Sequence, residues 1–70
     1  MNLIFTKHAQ QRMVERNIKI ENIRDVIDMP EYTIRKNRKV EAYKTINNKT
    51  LKVVYFKTSK FIKIITLIWK

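Results

Sequence analysis

The stretch IENIRDVIDMPEYTIR, residues 20–35, contains the change of period that decides the fold. Ile20, Ile23 and Ile27 recur at helical spacing with Val26 beside them, while Glu21, Arg24, Asp25 and Asp28 fall on other faces. This is the pattern of an amphipathic helix. Pro30, the chain's single proline, biases Met29 away from helical geometry and closes that helix near Asp28. Beyond it the apolar period drops to about two, and residues 32–35, 40–46, 51–56 and 61–68 read as strands. Lys36, Asn37, Arg38 and Lys39, then Asn47, Asn48 and Lys49, then Thr58, Ser59 and Lys60 supply the turn signals between them. Links this short predict an antiparallel meander. The last strand, FIKIITLIW, is apolar on both faces, which predicts a place inside the sheet and not at its edge.

Toward the N-terminus, residues 3–5 form a short predicted strand. Thr6 supplies a hydroxyl suited to a helix N-cap, and a first helix is expected over residues 7–16. Asn17 follows, a residue that tolerates the left-handed conformation often found just past a helix end. The expected architecture is α+β in the order β-α-α-β-β-β-β: a short N-terminal strand, then two helices packed on an antiparallel four-stranded sheet. Residues 1–70 make a single domain.

The composition narrows the chemistry. Sixteen Lys and Arg stand against six Asp and Glu, a formal net charge of +10 on 70 residues, which makes nucleic acid the leading partner. Glycine is absent, so neither the dinucleotide fingerprint nor the phosphate-cradling loop of nucleotide triphosphatases can be present. Cysteine is absent and histidine occurs once, so thiol chemistry is excluded, and a transition metal would have to rest almost wholly on a small acidic inventory. No metal and no cofactor are expected. The longest apolar run, residues 64–69, falls far short of the roughly 20 residues that span a bilayer, and no signal-peptide pattern is read before Lys7. A soluble cytoplasmic protein is expected, with no membrane partner.

In HAQQRMVERNI, residues 8–18, His8, Arg12 and Arg16 stand four apart, so a helix brings one imidazole and two guanidiniums to one face. Glu15 falls nearby, and Ala9 and Met13 occupy the adjoining sector suited to packing on a sheet. RNA cleavage by internal transfer needs a deprotonated 2′-hydroxyl, a stabilised phosphorane charge and a protonated leaving oxygen. Imidazole suits the proton transfers, and guanidinium suits the charge. His8 is therefore the candidate acid or base, and Arg12 and Arg16 the candidate phosphate ligands. Glu15 is a candidate second proton acceptor or an orienting group for an arginine. In the alternative reading these are ordinary surface charges: His8 bonds a backbone group near the helix start, and the arginines pair with Glu15, Asp25 or Asp28.

The strand half is basic too. Arg35, Lys36, Arg38, Lys39, Lys44, Lys57 and Lys60 are the candidate nucleic-acid-binding residues, with Lys52 and Lys63 adding charge. A solubilising hairpin tip is the alternative for residues 36–39. Tyr43 and Tyr55 are the aromatics placed to stack on unpaired bases, with core packing the equal alternative for both, and the Tyr55 phenol can also contact phosphate or assist proton transfer. Phe56, Phe61 and Trp69 are assigned to the core.

FTKHAQQRMVERNI, then IENIRDVIDMPE, then LKVVYF and IKIITLIW resemble the domain-of-unknown-function 4258 (DUF4258) family over nearly the whole chain. That family is regarded as related to the RelE-like and BrnT-like toxins of toxin-antitoxin modules. The resemblance implies two helices against an antiparallel sheet. It also implies a small basic endoribonuclease, an mRNA interferase acting without metal on RNA that includes ribosome-bound mRNA and neutralised by a small acidic antitoxin. The family pattern marks His8, Arg12 and Arg16, and beyond them Tyr55 and Thr66. Asn17 stands where glycine is usual and Lys19 where a capping serine or threonine is common, so a weakly capped second helix is expected. The competing expectations are a non-catalytic RNA- or DNA-binding module and a protein-interaction adaptor.

Overall fold

The computed structural model describes residues 2–70. The chain runs β1 (Asn2–Phe5), α1 (Lys7–Glu15), α2 (Ile20–Asp28), β2 (Tyr32–Lys36), β3 (Lys39–Ile46), β4 (Lys49–Lys57) and β5 (Phe61–Trp69). The helices and strands thus fall where the periodicity places them, with ends differing by one or two residues. The sheet differs from expectation in one respect. It has five strands in the order β1-β5-β4-β3-β2 and is mixed, because β1 pairs parallel with β5 while every other neighbour is antiparallel. β5 lies inside the sheet, as its two-sided apolar pattern predicts. No helix is long and apolar enough to cross a membrane among the described residues.

With no glycine in the chain, asparagine takes the left-handed positions. Asn17 ends the first helix at φ 50°, and Asn47 and Asn48 form the two-residue β3–β4 link at φ 51° and 69°. Positive φ at both central residues is the hairpin geometry whose twist matches that of the strands. Asn37 (φ 57°) opens the two-residue β2–β3 link, where it alone has positive φ.

The core lies on one face of the sheet. Ile23 and Val26 of α2, Ala9 of α1 and Ile18 between the helices pack on Ala42, Leu51, Val53, Tyr55, Ile62, Ile64 and Leu67. Ile23, Val26, Leu51, Val53, Ile64 and Leu67 lose all solvent contact, each burial stabilising by about 1.5–3 kcal/mol before entropy is counted. Ile64 and Leu67 are three apart, a spacing that a regular strand would split between its faces. A bulge resolves this: Val54 pairs with Thr66 and Tyr55 with Ile64, leaving Ile65 as the extra residue.

Lys19, the N-cap of α2, makes no side-chain capping bond, as the sequence leads one to expect. α1 is different. It buries only Ala9 fully, so its docking relies on polar contacts with β5.

Candidate functional site

Thr6 starts these contacts. Its Oγ1 accepts from the amide of Ala9 at 3.0 Å, capping α1, and donates to the carbonyl oxygen of Ile65 at 3.0 Å. β1 pairs with β5 only as far as Ile64, so the rest of that β5 edge has no neighbouring strand and α1 lies against it. Arg16, the residue that ends α1, donates from Nη1 to the carbonyl oxygen of Leu67 at 2.6 Å, and its own carbonyl accepts from the Trp69 indole at 3.2 Å. These bonds satisfy β5 carbonyls that no strand reaches. His8 Nε2 lies 3.0 Å from Thr66 Oγ1, and the side chain stays exposed to solvent.

The residues expected to converge on α1 therefore lie along one edge, with different attachments. His8 and Arg16 reach consecutive residues of β5, Thr66 and Leu67. Arg12 is held by Glu15, Nη1 to Oε1 at 2.6 Å. Arg12 thus takes one of the pairings the sequence offered, with Glu15, whereas Arg16 bonds a backbone carbonyl in place of a carboxylate and His8 a side-chain hydroxyl in place of a backbone group. Tyr55 is not brought to this edge: it sits on the helix side of β4 within the core, 8% exposed. Burial raises its pKa above the ordinary 10.0, against a smaller lowering by the Arg35 guanidinium, so the phenol stays protonated at neutral pH.

The strand cations do not form one surface. Register ties Arg35 to Val40 and Tyr55, and Lys57 to Ile62, which puts both on the helix side. Lys44 is on that side as well, its Nζ 3.7 Å from Asp25. On the other face the row Lys36, Lys39, Phe56, Lys63 crosses four strands. Lys60 belongs to the β4–β5 turn. The open face has no helix over it. There Tyr43 is 6% exposed, stacked on Tyr32 with centroids 4.5 Å apart and rings 11° from parallel, and Lys52 lies over it at 5.7 Å while pairing with Glu41. Neither Tyr43 nor Tyr55 is thus a free stacking platform.

Phe56, expected in the core, instead lines a cleft of about 580 Å³ on the open face, together with Ile65, Thr6, Arg38, Lys39 and Lys63. Among the described residues no carboxylate lines it. Lys63, Phe56 and Ile65 were not among the sequence's site candidates. Their signal lay in strand parity: Phe56 alternates out of phase with Leu51, Val53 and Tyr55, and only the bulge at Ile65 hid the same alternation in β5.

No curated protein and no solved structure matches the chain. A family model does, over residues 5–69. The matched span starts at the end of β1 and runs to the last residue of β5, so it takes in the α1–β5 edge, the cleft and both helices. The chain belongs to the family described as domain of unknown function DUF4258.

Proposed function

We propose that the chain is a toxin-type endoribonuclease of the RelE-like and BrnT-like kind, cleaving RNA without metal and held in check by a small acidic antitoxin. The observation that carries this reading is the His8 arrangement. The chain's one imidazole is solvent-exposed on a strongly basic protein, with Nε2 anchored by Thr66 and Nδ1 without a protein partner among the described residues. A side chain fixed through one ring nitrogen keeps the other available for proton transfer.

In the proposed step, His8 takes the proton of the 2′-hydroxyl, and O2′ attacks the adjacent phosphorus. The P–O5′ bond breaks and O5′ takes a proton from solvent. The products are a 2′,3′-cyclic phosphate and a 5′-hydroxyl. Arg12, once released from Glu15, stabilises the phosphorane charge. Arg16 positions α1, because its guanidinium is committed to Leu67.

The test is incubation of the purified protein with end-labelled RNA, with and without ribosomes. Cleavage leaving cyclic phosphate ends, lost in His8→Ala while RNA binding persists, is the expected result. RNA binding with no cleavage under either condition would establish a binding module instead. Cleavage undiminished in His8→Ala would remove the proposed chemistry.

A further inference from the structure

We infer that the open-face cleft seats one unpaired nucleotide of single-stranded RNA, with its base against Phe56 and its phosphate among Arg38, Lys39 and Lys63; the inference rests on the RNA reading above. Register brings Lys39, Phe56 and Lys63 into one cross-strand row, so an aromatic ring stands between two ammonium-bearing residues. Neighbouring strands lie about 4.8 Å apart, so Lys39 and Lys63, two strands apart, flank Phe56 with their backbones about 10 Å from each other, and an anion above the ring is within reach of both long side chains. Arg38 joins from the β2–β3 turn, where the left-handed Asn37 precedes it. Its guanidinium can grip two phosphate oxygens at once.

The cleft's cations also differ from others on the protein. Arg12, Lys44 and Lys52 are each paired with a carboxylate. Arg38, Lys39 and Lys63 have no such ion pair among the described residues, and an apolar floor of Phe56 and Ile65 lies beside them. Cations round a half-exposed ring match a nucleotide, which has an anionic end and a flat one. A volume of about 580 Å³ falls inside the range of small-ligand sites, about 300–1,000 Å³. An acidic peptide would satisfy the charges and leave the ring without a flat partner.

The cleft also adjoins the histidine. Thr6 in its wall stands two residues before His8, and Ile65 in its floor immediately precedes Thr66, which holds the imidazole. A strand with one nucleotide in the cleft therefore carries a neighbouring phosphate toward His8.

The experiment measures the affinity of the whole protein for a short unstructured RNA across a salt series. Variants are Phe56→Leu, the pair Lys39→Gln with Lys63→Gln, and a charge-matched control, Lys19→Gln with Lys49→Gln. Phe56→Leu is expected to weaken binding about tenfold with the salt slope intact, as loss of a stacked base does. The cleft pair is expected to lower the slope by about 0.7, the value for the one phosphate it holds on a single strand, while the control pair leaves it unchanged. Surface lysines carry little of the fold, so the cleft pair remains informative if Phe56→Leu fails to fold. RNA affinity indifferent to Phe56→Leu, with equal slope losses in both lysine pairs, overturns the cleft and leaves the RNA reading standing. Wild-type protein that binds no RNA at low salt overturns both. Polyglutamate bound as tightly as RNA, with no dependence on Phe56, also overturns the inference in favour of an acidic partner.

Discussion

The Arg16 guanidinium is bonded to the Leu67 carbonyl oxygen at 2.6 Å, across 51 residues of sequence. The bond lies where β1 has ended and β5 would otherwise show an unpaired edge, and the Trp69 indole returns a bond to the Arg16 carbonyl. Since α1 buries only Ala9 fully, side-chain bonds hold it where a wider apolar face would hold another helix.

Arg16→Ala should therefore reduce stability, by about 1.5–3 kcal/mol for a charged hydrogen bond whose acceptor is left on an uncovered edge. Urea unfolding at neutral pH measures it, and Arg16→Lys should recover part of the loss. Unchanged stability in Arg16→Ala, with RNA affinity alone reduced, would make Arg16 a phosphate ligand and not the fastening of α1.

Thr6→Val tests the other end of the same edge. The substitution keeps the shape and removes both the cap on Ala9 and the donor to Ile65, so a loss of about 1–2 kcal/mol is expected in the same unfolding assay. Thr6→Ser should stay close to wild type.

The element order was legible because period and turn chemistry are local. Ile23 and Val26 mark one helix face, Pro30 ends it, and asparagines stand where the chain turns. The parallel pairing of β1 with β5 was not legible, because no turn links strands so far apart in sequence and Asn2–Phe5 is too short to carry a pattern of its own. The α1 stripe of His8, Arg12 and Arg16 was readable from spacing, but the partner of each was not. Thr66, Leu67 and Glu15 take up these heads, and two of the three lie on a strand that only the tertiary fold brings near. Residue type misled at Phe56, where parity pointed away from the core: an aromatic residue in an apolar strand is taken for core until the register shows which face the helices cover.

Asn48 tests the claim that asparagine replaces glycine here. At φ 69° an alanine would meet the Cβ penalty of the left-handed region, so Asn48→Ala should destabilise by about 1 kcal/mol or somewhat more. Asn48→Gly should match wild type within a few tenths, the relaxed backbone offset by the entropy glycine loses on folding. Thermal unfolding of the two variants side by side checks it.

Tyr55 makes stability fall at alkaline pH. Its pKa is raised in the folded state by burial, only partly countered by Arg35. Below the ordinary value of 10.0 the phenol is protonated in both states and its contribution is fully present. As pH climbs past that value the unfolded chain ionises first and binds fewer protons than the native one, so stability falls until Tyr55 ionises in the fold as well. Urea unfolding below and above pH 10 should show the wild type losing stability relative to Tyr55→Phe. A difference independent of pH would mean that the phenol is not desolvated.

Glu15 separates orientation from catalysis. Its carboxylate holds Arg12 at 2.6 Å on an exposed stretch of helix, where such pairs contribute at most about 1 kcal/mol, so Glu15→Gln should leave stability almost unchanged. If the pair keeps Arg12 from a phosphate, removing the carboxylate frees a guanidinium and subtracts a like-charge repulsion, and RNA affinity should rise about threefold to tenfold at low salt. The gain should fade as salt is raised and vanish in the Glu15→Gln, Arg12→Ala double variant. A Glu15 that accepts a proton in the reaction behaves oppositely: Glu15→Gln would then abolish cleavage at unchanged affinity. Affinity and cleavage rate, read on the same three proteins, decide which of the two roles the carboxylate has.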